Sequence, residues 1–89
     1  MLETKQVSVG TAAVQILGTQ DNPVQVILHN AQKNSNEYIW FGGSSAVTTS
    51  TGAHLDDAST YQLIIKPGNE LWAITDAGTK ALHVLYQEL

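Results

Sequence analysis

Apolar residues recur at every second position through most of the chain, and no window carries the i, i+3, i+4, i+7 spacing of an amphipathic helix. Lys5 to Val9 reads as a strand with Val7 and Val9 on one face. Gly10-Thr11 turns into Ala13 to Leu17, where Val14 and Ile16 point inward. After the turn cluster Gly18 to Pro23, Val24 to Asn30 alternates cleanly: Val24, Val26 and Leu28 lie on one face, Gln25, Ile27 and His29 on the other. Ala31 to Asn36 forms a polar tip from which Glu37 to Phe41 returns. Tyr61 to Lys66, Leu71 to Thr75 and Ala81 to Leu89 follow as strands, separated by Pro67-Gly68 and by Asp76 to Thr79. About seven to eight strands with such turns predict an all-β fold. The expected architecture is a small antiparallel β-sandwich or jelly-roll-like barrel, one domain over residues 1–89.

Three of these strands are bulky on both faces. Tyr38 and Trp40 share one face of their strand, Ile39 and Phe41 the other; Leu71-Trp-Ala-Ile-Thr75 and Leu63-Ile-Ile65 behave alike. A chain of 89 residues buries only roughly 60–65% of its unfolded surface. It cannot cover that many two-faced strands alone, so a partner surface is expected. Between Gly43 and Gly52 runs a loop of small and hydroxylated residues in which only Ala46 and Val47 are apolar.

Composition narrows the function classes. Four lysines, no arginine and eight carboxylates give a net charge of −4, with the lysines scattered. Binding to nucleic acid, or to an anionic membrane surface, needs clustered cations, so neither is expected. With no cysteine there is no disulfide or thiol chemistry. The amino-terminal residues lack the apolar stretch of a secretory signal, and no run has the length of a membrane span, so a soluble, cytosolically made protein is expected.

Candidate chemistry is thin. His29, His54 and His83 are far apart in sequence, without the paired spacing of a strand-borne metal site, and no metal or other cofactor is expected. Asp56-Asp57 reads as a turn, or as a cap for a short helical turn at Ala58 to Tyr61. No nucleophile stands beside a base, and Gly42-Gly43 lacks the lysine and helix start of a phosphate loop, so an enzyme is not expected. Trp40, Phe41, Tyr61, Trp72 and Tyr86 serve either as core or as a platform for sugar rings. The platform requires a coplanar exposed pair among Trp40, Tyr61 and Trp72. One echo stands out. Gly10 to Leu17 and Gly78 to Leu85 share G-T-x-A-(V/L)-(Q/H)-(I/V)-L, read either as one turn-to-strand solution used twice or as equivalent strands in two halves of a sandwich.

Taken together, Val7–Leu17, Val24–Asn30, Tyr38–Gly52, Leu63–Ile74 and Ala77–Leu85 resemble the small structural proteins of tailed phages, in particular the capsid decoration or cement proteins. The paired motifs G-G-S-x-x-V-T-T and P-G-x-E-L-W-A-I carry most of the likeness. The resemblance implies a β-sandwich that binds the major capsid protein on the outer surface of the virion, often as a homotrimer, and ties capsomers together. Tail, baseplate and head-fibre proteins share similar modules. On this view Trp40, Phe41, Ser44, Val47, Thr48, Thr49 and Trp72 are the interface candidates. The loop is then an adaptable, uncharged contact surface, and deleting Thr48 to Thr51 is expected to cut particle binding while leaving the melting point nearly unchanged.

Overall fold

A computed structural model describes residues 2–34 and 36–89. It holds eight strands and, among the described residues, no helix: β1 (Glu3–Val9), β2 (Val14–Leu17), β3 (Val24–Asn30), β4 (Ile39–Gly42), β5 (Ala53–Leu55), β6 (Thr60–Ile65), β7 (Leu71–Ile74) and β8 (Lys80–Glu88). The first sheet has the order β1-β8-β3-β6 and the second β2-β7-β4-β5, with every pairing antiparallel. Only β4 and β5 are consecutive strands of one sheet; each other connection crosses to the opposite sheet. That alternation is the order of an eight-stranded jelly roll, so the expected sandwich is what the chain forms.

The core lies between the sheets and follows from the period-two pattern. Val24, Val26 and Leu28 of β3 face Ile39 and Phe41 of β4 and Leu71 and Ala73 of β7 within one buried cluster, which Leu82 and Val84 of β8 complete. The strand β2 breaks its own alternation. A bulge between Gln15 and Leu17 places both Ile16 and Leu17 inside, while Val14 is only partly covered. The Lys5 ammonium donates to the Ile16 carbonyl from across the sandwich, passing over the ring of Tyr86. Burial in turn raises the Tyr86 phenol above its ordinary pKa, and the charge of Glu3 pushes it the same way.

Two buried polar residues tie the connections at one end. Asn30 is fully buried; its side-chain amide donates to the carbonyls of Glu37 (2.7 Å) and Leu55 (3.1 Å) and accepts from the Gln32 amide (3.1 Å). Lys80 is equally enclosed and donates to Thr75 Oγ1 (2.7 Å) and to the Ala77 carbonyl (2.9 Å). Thr75 passes the chain on to the Tyr38 carbonyl at 2.8 Å.

The structure departs from the sequence reading in places. The strand β5 is not among the expected strands, because three residues are too few to show a period. Of the two readings of Asp56-Asp57 the turn holds and the helical turn does not: the Ser59 amide closes onto the Asp56 carbonyl, Ala58 takes a positive φ, and β6 begins at Thr60. The Gly10 and Gly78 segments are not equivalent: β2 is an edge strand of the second sheet and β8 an inner strand of the first. Nor is the turn shared, since Gly78 has φ +66° and Gly10 has no positive φ.

Candidate contact surfaces

The outer face of the second sheet gathers the aromatics left out of the core. Cross-strand partners share a face, and here Trp40 lies between Ile74 of β7 and His54 of β5, while Trp72 lies between Gln15 of β2 and Gly42 of β4. Trp40, Trp72, Ile74 and Tyr38 are all half-buried by one another. Tyr38 meets Trp40 edge to face (6.0 Å, 86°) and His54 at 5.7 Å. The Trp72 indole N–H donates to Glu70 Oε1 at 2.8 Å, and the Gln15 amide donates to the same oxygen at 2.9 Å. A flat, mostly uncharged patch results, with its carboxylate at the margin.

The Gly43–Gly52 loop borders this patch and is more structured than its composition suggests. Val47 turns back and is buried. A Cβ at Gly42 would lie 2.8 Å from Val47 Cγ2 and one at Gly52 2.9 Å, so the absence of side chains at these two positions admits the valine. Around it, Ser44 Oγ accepts from the Ala46 amide. Thr48 Oγ1 accepts from the amides of Ser50 and Thr51, and Thr51 Oγ1 from that of Thr48. The Gly52 amide closes the loop on the Thr48 carbonyl at 2.9 Å. Three hydroxyls, on Ser45, Thr49 and Ser50, have no partner among the described residues and face outward.

Of the seven interface candidates, Trp40 and Trp72 share the outer patch, and Ser44, Thr48 and Thr49 lie on the exposed loop beside it. Phe41 and Val47 point the other way. Both are buried and position the surface without being part of it. Deleting Thr48 to Thr51 would therefore remove the bonds that hold Val47 in place, and a nearly unchanged melting point is no longer the expectation. Tyr61 is separated from the two tryptophans: it belongs to β6 of the first sheet and rests against Phe41 at 5.2 Å.

The outer face of the first sheet was not singled out by sequence. A shallow concavity of about 520 Å³ lies there, floored by Ile27 and Leu85 and bordered by Gln6, His83, His29 and Thr60. Ile64, on the same face, is 58% exposed. Among the described residues no three histidine or acidic side chains converge as a metal cage, and no helix is long and apolar enough to cross a membrane.

No family model matches the chain, and no curated protein matches its sequence. Among solved structures, it is similar to a chain from the work described as "Bacillus endospore appendages form a novel family of disulfide-linked pili". The likeness has a TM-score of 0.57 at 8% identity and covers all of this chain and 88% of the other. At that identity the likeness shows a shared fold and nothing finer.

Proposed function

We propose that the chain is a structural protein of a phage particle, binding the outer surface of the capsid and bridging neighbouring capsomers. The observation that carries this reading is the outer face of the second sheet. Trp40, Trp72 and Ile74 share that face half-buried, an apolar cluster left out of the core, and the hydroxyl-bearing Ser45, Thr49 and Ser50 extend it. Contacts of this kind rely on burial and neutral hydrogen bonds, so salt in the surroundings does not screen them. Self-association into a trimer around a local symmetry axis, the second partner in this reading, uses the Trp40 side of the face, and the Trp72 side is left to the capsid. The structural neighbour comes from disulfide-linked pili. This chain has no cysteine, so it contributes no disulfide of that kind.

A sugar-binding platform is not favoured. It needs an exposed coplanar pair among Trp40, Tyr61 and Trp72; Tyr61 lies on the other sheet against Phe41, and Trp40 and Trp72, which share a face, are both half-buried. A tail or baseplate location uses the same surface and differs only in the particle part it covers. Cryo-electron microscopy of particles assembled with and without the chain tests the reading. Added density on the outer shell at local symmetry axes is expected. Density on the tail alone would move the assignment, and no density would reject a virion role.

A further inference from the structure

The geometry points to a binding site for a borderline divalent transition ion, of the zinc, nickel or copper kind, made by His29 and His83 on the outer face of the first sheet. The inference is independent of the phage reading and uses the opposite side of the molecule. The two residues are 54 positions apart in the chain, yet they are direct cross-strand partners of β3 and β8. Their rings stand edge to face with centroids 6.2 Å apart. Side chains on directly opposed strand positions have Cβ atoms about 4.5–5.5 Å apart, so modest χ rotations bring one nitrogen of each ring onto a shared ion at about 2.0–2.1 Å.

Three further features fit that use. His29 Nδ1 is 3.1 Å from Thr60 Oγ1, an outer contact of the kind that orients a ligating imidazole and leaves Nε2 to face the ion. On the other side of His83 its β1 partner is Gln6, a residue with a neutral amide in the same row across the sheet. Among the described residues Lys5 is the lysine that borders the concavity. Its amino group is held at the Ile16 carbonyl on the inner side, and Lys80 is buried in its own network. Ile27 and Leu85 give the row an apolar floor, which limits the directions from which water reaches the nitrogens. Two imidazoles and a neutral amide suit zinc, nickel or copper; they do not suit magnesium or calcium, which take oxygen ligands. Water completes the coordination, or a donor from a molecule docked on this face.

Titrating the full chain with zinc chloride while following the histidine ring signals by NMR tests the site. His29 and His83 are expected to shift together at one binding constant, with His54 unmoved and magnesium chloride without effect. His29→Gln and His83→Gln should each weaken zinc binding by at least the roughly tenfold that even an outer-shell change costs, and Thr60→Val by about tenfold. His54→Gln should leave binding unchanged. Melting curves of the variants check folding, which these surface positions are not expected to disturb. Equal shifts at all three histidines, or single variants that bind zinc as the parent does, would overturn the site.

Discussion

Val47 fills the space that a side chain on Gly52 would need. A Cβ at Gly52 would lie 2.9 Å from Val47 Cγ2 and also 3.0 Å from Trp40 Cβ and 3.1 Å from the Phe41 carbonyl, where the backbone cannot yield. Gly52→Ala should therefore destabilise by about 1–3 kcal/mol through overpacking. Val47→Ala should cost a similar amount through the cavity it leaves. In a domain of this size each kcal/mol lowers the melting temperature by about 4–8 °C, so calorimetry resolves both effects. Thr49→Ala, on the exposed arm of the same loop, should move it by less than about 0.5 kcal/mol.

Asn30 holds two strand ends and one loop through a single amide. With Asn30→Ala the carbonyls of Glu37 and Leu55 and the Gln32 amide all lose their partner, the Leu55 carbonyl in a buried setting and the other two only part-buried. The expected loss is about 1–3 kcal/mol, the cost of one unsatisfied buried group, with the part-buried pair turning to water. Urea denaturation with an unchanged m-value would confirm a folded-state effect.

Thr75 and Lys80 form the corresponding clamp on the β7–β8 turn. Thr75→Val leaves the Tyr38 carbonyl without its donor and the Lys80 ammonium short of an acceptor, which should cost about 1–3 kcal/mol. Asp76 adds a pH dependence. Its hydrogen bond from Lys80 holds the carboxyl below its ordinary pKa of 3.8. The folded pKa is depressed, so the stabilisation is fully present above the ordinary value and is lost as pH falls from there through the folded pKa. Melting temperature should thus decline below about pH 4, and Lys80→Met should flatten that part of the curve.

Much of this fold is visible in the pattern of side chains. The strand β3 runs buried and half-buried in strict alternation, as its sequence predicts, and its bounds agree residue for residue. The features that sequence does not reveal are those where periodicity is interrupted or pairing is remote. The bulge in β2 puts two consecutive residues inside, which an alternating template cannot express. Val47 has no periodic neighbour in a run of hydroxyls, so nothing local marks it as buried. His29 and His83 look solitary because the register that unites them joins adjacent strands far apart in the chain. The partition of Trp40 and Phe41 onto opposite faces needed only the period of a strand, and it holds.

Self-association follows from the same outer patch. Light scattering over a wide concentration range should show a species of three times the 9.6 kDa chain mass, and Trp40→Lys should return it to the monomer. Because the Trp40 face lies outside the core, the variant should keep a cooperative melting transition. A trimer unaffected by this substitution would place the interface elsewhere.

Cosedimentation of the chain with capsids assembled without it tests the central claim most directly. The account predicts saturable binding that persists as salt is raised, because no clustered charge mediates it, and that is abolished by Trp72→Lys while the variant still folds. Failure of the parent chain to bind, or binding by Trp72→Lys equal to that of the parent, would contradict the account.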